Sequence, residues 1–228
     1  MIRFVLLDLD DTILDFHRAE AAAVSKTFLR FGIEPTEQIV NRYSEINAAH
    51  WRMLERGEIT RAQVLTGRFC QLFSELGADC DPEQTQQIYE AYLSQGHYFI
   101  PGAEQLLEDL HGNYLLYLVS NGNAVVQEGR LKSAGISHYF EDIFISELIG
   151  ADKPSKAYFD RCFNRIPDFN PSQAILIGDS PTSDILGGIN ARVKTCWFNP
   201  NHRPPHPEIH PDFEIDQLCD LIPLLASL

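Results

Sequence analysis

Three carboxylates, at positions 8, 10 and 11, follow the first apolar run of the chain. Charged side chains are rarely buried without partners, so an apolar run that ends this way is better placed at the mouth of a site than inside a core. In an extended chain Asp8 and Asp10 point to the same side, and two such carboxylates need a strong counter-charge to stay ionised. Mg²⁺ prefers oxygen ligands of this kind. The spacing therefore predicts a magnesium site; the alternative is a strand that runs into an acidic, calcium-binding or capping turn.

Apolar strands alternate with helical patterns in the second half of the chain. This alternation is typical of a parallel sheet with right-handed crossovers, so we expect an α/β fold with a doubly wound parallel sheet. The stretch from 17 to 96 has helical spacing and no convincing strand, which predicts a four-helix insertion directly after the first strand. The predicted strands are 4–7, 115–119, 143–145, 174–177 and 193–198, and the predicted helices between them are 125–134, 157–165 and 184–191.

The 228 residues are enough for one α/β domain with an inserted subdomain. A formal net charge of −14 argues against nucleic-acid polymers and anionic membranes as partners, whereas a small anionic substrate remains compatible with a bound metal. Five scattered cysteines without a C-x-x-C pair are typical of a reducing compartment. Because the apolar run at the N-terminus is too short for a signal peptide, we expect a cytoplasmic protein. We expect it to be either a monomer or a homodimer.

Polar residues follow several of the predicted strands, in an order that can be compared with known families. These stretches resemble the four motifs of the haloacid dehalogenase-like phosphohydrolases, a superfamily with a Rossmann-like core. The resemblance implies a core made of residues 1–15 and 99–228 and a helical cap of the C1 type at 16–98. The stretches are Asp8-Leu9-Asp10-Asp11-Thr12, Ser120-Asn121-Gly122, Lys153-Pro154 and Gly178-Asp179-Ser180-Pro181-Thr182-Ser183-Asp184.

The resemblance implies that the two aspartates of the first motif carry the chemistry. Asp8 would attack phosphorus to give an aspartyl-phosphate, which divides one difficult step into two. Asp10 would protonate the leaving alkoxide and then activate the water that hydrolyses the intermediate. Members that cleave carbon–halogen bonds lack the second aspartate, so Asp10 favours a phosphatase.

The phosphate group would be bound by residues of the second and third motifs. The resemblance assigns a donor role to the Ser120 hydroxyl and to the Asn121 backbone N–H, and the role of a fixed positive charge to Lys153, which also keeps Asp8 ionised. Each of these short motifs, taken alone, is also a common turn or loop.

The same resemblance implies a set of Mg²⁺ ligands. The carboxylates of Asp8 and Asp179 and the backbone carbonyl of Asp10 would bind the ion. Asp184 would act through a water molecule or by orienting Lys153.

A finer resemblance points to the pyrimidine 5′-nucleotidase branch, and so to UMP, dUMP or dTMP as substrate. Phe16 and Trp51 are the candidates for contact with the base, with Tyr43 or Asn47 beside them, although aromatic residues at helical spacing usually pack in a core. The branch is indicated by Asp15-Phe16, Trp51, Gly57-Glu58-Ile59-Thr60, Arg68-Phe69, Asp184-Ile185-Leu186-Gly187-Gly188-Ile189-Asn190-Ala191 and Thr195-Cys196-Trp197-Phe198-Asn199.

Other interpretations of the sequence remain open. A phosphatase of the same superfamily could act on another small ester, such as a sugar phosphate or phosphoglycolate. A phosphomutase and a catalytically silent binding protein are further alternatives. The segment 201–210 contains three histidines, but its prolines prevent a helix that would align them, so we expect a surface loop there and no metal site.

Overall fold

The computed structural model describes all residues from 1 to 228 and contains one six-stranded sheet. The strands are β1 (Phe4–Leu7), β2 (Leu115–Ser120), β3 (Asp142–Ile145), β4 (Ala174–Gly178), β5 (Lys194–Phe198) and β6 (Phe213–Ile215). Their spatial order is β3-β2-β1-β4-β5-β6, and every neighbouring pair is parallel. All residues of β1 and β4 are buried, as expected for strands that are covered on both faces.

Ten α-helices surround or extend this sheet. They are α1 (Phe16–Arg30), α2 (Glu37–Glu55), α3 (Arg61–Leu76), α4 (Pro82–Leu93), α5 (Ala103–Leu110), α6 (Ala124–Ala134), α7 (Ser146–Ile149), α8 (Lys156–Phe163), α9 (Leu186–Ala191) and α10 (Leu221–Ala226). Side chains of α5, α6 and α10 form one apolar cluster with the sheet, and side chains of α8 form a second cluster with the other set of strand residues. The helices therefore cover both faces of the sheet.

Helices α1 to α4 follow β1 directly and are called the helical insertion below. Each begins after a residue whose side chain accepts a backbone N–H of the first turn: Asp15, Thr36, Thr60 and Asp81. Such N-caps satisfy donors that the helix itself leaves unpaired. The insertion encloses its own apolar cluster, to which α6 adds Val126.

The two chain segments that connect the insertion to the sheet lie side by side. Leu14 forms an antiparallel bridge with Phe99, and the Asp15 backbone N–H donates to the Tyr98 carbonyl at 2.7 Å. The chain therefore leaves the sheet and returns to it through two adjacent segments that are hydrogen-bonded to each other.

The predicted doubly wound parallel sheet with a helical insertion is confirmed. The predicted strands lie within one or two residues of the observed ones, but β6 and the helices α5, α7 and α10 were not predicted. β6 has only three residues, too few for a visible alternation of apolar and polar positions. The exact division at residues 16 and 98 stays a prediction. No helix of the chain is both long and apolar enough to cross a membrane.

The apolar cluster of the insertion yields a test of stability. We expect Leu72→Ala to lower the free energy of unfolding by about 2–4 kcal/mol, because Leu72 is fully buried in that cluster and truncation leaves a cavity. Leu76→Ala, one turn later in α3, is the matched control; this leucine is 39% exposed and should cost less than about 1 kcal/mol. Urea unfolding of both variants measures the difference, and equal losses would contradict the packing described.

Candidate active site

The candidate site lies at the carboxyl ends of the three central strands. β1 lies between β2 and β4, and its last residue, Leu7, is aligned with Leu118 and Ile177. The residues that follow these strands therefore emerge at one edge of the sheet, where the strand order reverses and α/β proteins bind their ligands. In this chain that edge carries Asp8 and Asp179.

The buried ammonium group of Lys153 joins three strands at this edge. Its Nζ donates to Asp8 Oδ1 at 2.6 Å, to Asp184 Oδ1 at 2.7 Å and to the Val119 carbonyl at 2.8 Å. Burial by itself lowers the pKa of Lys153, but the carboxylates of Asp184 and Asp8 outweigh it and raise the pKa above its ordinary value. Lys153 therefore stays charged and orients both carboxylates.

Asp184 is placed by an irregular turn after β4. The chain passes from Ser180 into a π-helical turn (Pro181–Ile185) that continues into α9, and the Ser180 backbone N–H donates to Asp184 Oδ2 at 3.1 Å. Gly178 is required at the end of β4, because a Cβ there would lie 2.3 Å from the Asp184 carboxylate. The sequence analysis named Lys153 as a partner of Asp184, and the two are in direct contact.

Asp179 is held from the side of the C-terminal strands. Its backbone carbonyl accepts from Trp197 Nε1 at 2.8 Å and from Arg203 Nη2 at 2.5 Å, and its carboxylate lies 3.2 Å from the same guanidinium. Arg203 lines the site although it lies in the 201–210 segment that was interpreted as a surface loop. An arginine beside prolines in an irregular segment carries no periodic signal, so only the fold identifies this contact.

The carboxylates of Asp8, Asp179 and Asp184 form an acidic cluster, with one oxygen of each within 4.8 Å of the others. Burial raises the pKa of Asp8 well above its ordinary value, although Lys153 acts in the opposite direction. Burial and the carboxylates of Asp184 and Asp11 raise the pKa of Asp179 to about 7. A set of oxygen donors with unbalanced negative charge fits a hard divalent cation such as Mg²⁺.

The carboxylate of Asp10 is not part of the acidic cluster. It is engaged by two residues of α6: Gln127 Nε2 donates to it at 2.6 Å, and Arg130 Nη1 forms a short ion pair with it. The sequence analysis named neither residue, because an arginine and a glutamine in a helix usually mark its solvated face. Their separation by three positions, which places both on one face of the helix after the Ser120 loop, is the signal that could have identified them.

Ser120 and Asn121 lie at the end of β2, where they were expected. The Ser120 hydroxyl is buried and accepts from Gln127 Nε2 at 2.8 Å. The side-chain amide of Asn121 bonds both to the backbone N–H and to the carbonyl of Lys153, at 2.8 Å each. Asn121 thus fixes the loop that carries the lysine, and its predicted backbone donation to phosphate stays a prediction.

A cavity of about 410 Å³ lies between this edge of the sheet and the helical insertion. Asp8, Asp10, Lys153 and Asp179 line its floor, and residues of the insertion line its other end. Phe16, Trp51 and Asn47, three of the four candidates for substrate contact, belong to that lining. The fourth, Tyr43, is fully buried in the apolar cluster of the insertion.

The buried lysine generates a second test of stability. We expect Lys153→Met to lower the free energy of unfolding, measured with urea in the presence of a chelator, by about 2–4 kcal/mol. The substitution keeps the alkyl chain but leaves the carboxylates of Asp8 and Asp184 facing each other without a cation. Lys156→Met removes a solvent-exposed ion pair with Asp160 and should change the free energy by about 0.5 kcal/mol or less. Equal effects of the two substitutions would contradict the assigned role of Lys153.

Comparison with known proteins agrees with the geometry. Residues 5–198 match the family model of haloacid dehalogenase-like hydrolases. The chain is 42% identical to the HAD-hydrolase YfnB of Bacillus subtilis (strain 168), over 98% of this chain and 95% of that protein. A crystal structure of YfnB, described as bound to magnesium, has a TM-score of 0.94 and covers 98% of both chains.

Two further relatives are named as pyrimidine 5′-nucleotidases. PynA of Streptococcus pneumoniae (strain ATCC BAA-255 / R6) is 35% identical over 98% of this chain and 94% of its own. YjjG of Escherichia coli (strain K12) is 30% identical over 98% of both chains. The predicted phosphoric monoester hydrolase is thereby confirmed as a class of enzyme. From the full-length match and the shared fold, the chain belongs to the haloacid dehalogenase-like hydrolase family.

Proposed function

We propose that this chain is a Mg²⁺-dependent 5′-nucleotidase that releases phosphate from pyrimidine nucleoside monophosphates such as UMP, dUMP and dTMP. The observation that carries the proposal is the cavity, which has an acidic floor with a buried lysine and an opposite end with aromatic and polar side chains. Its volume, about 410 Å³, lies in the range of small-molecule sites. The names of PynA and YjjG support the choice of substrate class.

The acidic cluster is the proposed metal site. Asp8 and Asp179 supply the carboxylate oxygens, and the Asp10 backbone carbonyl is the further ligand expected from the family motif. The oxygens of Asp184 accept from Lys153 and from the Ser180 backbone N–H, so Asp184 would act through a water molecule or by orienting Lys153. A bound Mg²⁺ would neutralise charge on the phosphate oxygens. The magnesium described for YfnB supports this assignment.

The proposed first step uses Asp8 as nucleophile. A bond forms between an Asp8 carboxylate oxygen and phosphorus, and the bond from phosphorus to the 5′ oxygen of the nucleoside breaks. Lys153 fixes the carboxylate of Asp8 by the 2.6 Å contact and adds a positive charge beside the transferring group. The products of this step are the nucleoside and an aspartyl-phosphate.

Asp10 is the proposed proton donor and acceptor. It gives its proton to the departing 5′ oxygen, and in the second step it takes a proton from the water that attacks the aspartyl-phosphate. Its side chain is 29% exposed, lines the cavity and is held by Arg130 and Gln127. These two residues are positioning residues for the carboxylate.

The proposed phosphate donors are the Ser120 hydroxyl and the Asn121 backbone N–H. Ser120 accepts its bond from Gln127, so its own proton remains available for a phosphate oxygen. The side chain of Asn121 is occupied by Lys153, which leaves the backbone N–H for the phosphate.

Residues 16–98 are the proposed cap over this chemistry. The cap contacts the core beside the site, where Thr182 donates to Glu55 at 3.0 Å and Arg61 bonds the Gly122 carbonyl at 3.1 Å. Closure over the cavity would exclude water while Asp8 attacks phosphorus.

Phosphate release across a substrate panel tests the function. We would assay purine and pyrimidine nucleoside monophosphates, sugar phosphates and phosphoglycolate, each with Mg²⁺ and with chelator. The expected result is Mg²⁺-dependent release that favours UMP, dUMP or dTMP. Release from a sugar phosphate alone would overturn the nucleotidase and keep the phosphatase, whereas no release from any ester would overturn both.

Substitution of the two aspartates tests their roles. We expect Asp8→Asn to lower kcat by about 10³-fold or more, because the nucleophile is lost. Asp10→Asn should lower kcat by about 10²–10⁴-fold, the usual contribution of a general acid–base. Asp160→Asn, an exposed aspartate of α8, is the control and should retain wild-type turnover. Unchanged turnover in either test variant would contradict the mechanism.

Substitution of Asp179 tests the metal site. We expect Asp179→Asn to raise the Mg²⁺ concentration for half-maximal activity at least about tenfold, since even residues that only support a metal ligand change affinity by about 10–100-fold. Asp109→Asn, in α5, changes an aspartate outside the cavity lining and should leave the Mg²⁺ dependence as it is. The same Mg²⁺ dependence in both variants would exclude Asp179 as a ligand.

A further inference from the structure

The end of the cavity opposite the acidic floor contains five polar side chains, called here the cap polar cluster. All four helices of the insertion contribute: Glu20 comes from α1, Ser44 and Asn47 from α2, Arg68 from α3 and Tyr89 from α4. None of these residues has a role in the proposed phosphoryl transfer. Four of the five are buried, and each lines the cavity.

Glu20 is the centre of the cap polar cluster. One of its carboxylate oxygens accepts from Asn47 Nδ2 at 2.6 Å, and the other accepts from the Ser44 hydroxyl at 2.7 Å. Arg68 Nη1 donates to Asn47 Oδ1 at 2.5 Å and so fixes which way the amide faces. The order of donors and acceptors at this wall of the cavity is therefore determined by contacts within the protein.

The cap polar cluster keeps hydrogen-bonding capacity that the protein does not use. Each carboxylate oxygen of Glu20 can accept a second bond, and Asn47 Nδ2 has a second proton. Both residues line the cavity, so a ligand bound there can use these free positions.

Flat apolar side chains lie next to the cap polar cluster. Trp51 is one helical turn after Asn47 on the same face of α2, and Phe16 is one turn before Glu20 on α1. The Arg61 guanidinium lies 5.4 Å from the Trp51 ring, and the Arg130 guanidinium lies 5.7 Å from the Phe16 ring. Both rings also line the cavity. The combination of flat faces with adjacent donors and acceptors suits a heterocyclic base.

We propose that Glu20, presented by Ser44 and Asn47, is the specificity-determining residue of a base subsite and accepts an N–H of the pyrimidine. This inference rests on the proposed nucleotidase function. A carboxylate acceptor beside an amide donor matches an edge in which an N–H lies next to a carbonyl oxygen, as at N3 of uracil and thymine. The base then bonds to Glu20 and Asn47 at one end of the cavity while the phosphate lies at Asp8 on the floor.

The cap polar cluster also ties three helices together, so a purely structural role is the competing explanation. A structural role affects every substrate alike, because it changes only the amount or the shape of folded enzyme. A base subsite affects nucleotides and leaves a base-free ester unchanged. The ratio of the two activities therefore distinguishes the two explanations.

The test compares Glu20→Gln with wild type on UMP and on ribose 5-phosphate, which has the same phosphate linkage and no base. The amide replaces an acceptor oxygen by a donor at nearly constant volume. We expect kcat/KM for UMP to fall by about 10- to 100-fold, chiefly through KM, and kcat/KM for ribose 5-phosphate to change by less than about twofold. Calorimetric binding of free uridine should weaken by the same factor as UMP, with no contribution from the chemical step.

Two further variants complete the experiment. Glu45→Gln makes the same chemical change one residue after Ser44 on the exposed face of α2, where Glu45 pairs with Arg42, and it should leave both activities unchanged. Ser44→Ala removes one bond to Glu20 and should lower selectivity for UMP by about threefold to tenfold. It replaces Glu20→Gln as the test if that variant does not fold.

The outcomes separate this inference from the proposed function. A wild-type enzyme without preference for UMP over ribose 5-phosphate would overturn the nucleotidase itself. A wild-type enzyme that prefers UMP, together with a Glu20→Gln variant that loses both activities equally or neither, would overturn the base subsite alone.

Discussion

The buried ammonium group of Lys153 makes three hydrogen bonds that hold the carboxyl ends of three strands together. Lys153 bonds the carboxylate of Asp8 after β1, the carbonyl of Val119 in β2 and the carboxylate of Asp184 after β4. A buried charge is costly unless it is paired and hydrogen-bonded, so the contacts of Lys153 hold the carboxyl ends of these three strands in register. The same constraint places the proposed nucleophile beside a permanent positive charge. The hydrogen bonds of Lys153 therefore both stabilise this edge of the sheet and hold the proposed nucleophile in place.

Arg130 connects the chemistry of the core to the helical insertion. It is fully buried in α6, forms the ion pair with Asp10 and donates to the Gly96 carbonyl at 3.0 Å, in the segment that returns from the insertion. One guanidinium thus contacts both the proposed acid–base carboxylate and the segment that returns from the insertion to the sheet. The position of the insertion and the orientation of Asp10 are consequently coupled through a single rigid group.

The insertion combines two kinds of interior. Its aromatic cluster, with Phe28, Tyr43 and Phe69, stabilises four helices that would be marginal on their own. The end that faces the cavity instead contains buried polar groups such as Glu20 and Arg68. Burying such groups is costly unless they are paired, and the hydrogen bonds among them offset that cost while leaving some donors and acceptors free. This division fits an insertion whose aromatic cluster stabilises the four helices and whose polar side chains at the cavity are available to bind a substrate.

The fold class and the order of the four motifs could be predicted from the sequence alone, because both depend on local patterns, and the resemblance to the family rested on those motifs. Apolar runs such as 174–177 predict buried strands, and the acidic residues after 4–7 predict a polar edge. The residues that complete the site could be identified only from the three-dimensional packing. Arg130 and Arg203 lie 120 and 24 residues from the carboxylates they contact, in a helix and in an irregular segment whose local sequence has no signal for that contact. Contacts between residues so far apart in the chain arise from the packing of whole elements, and no local propensity encodes them.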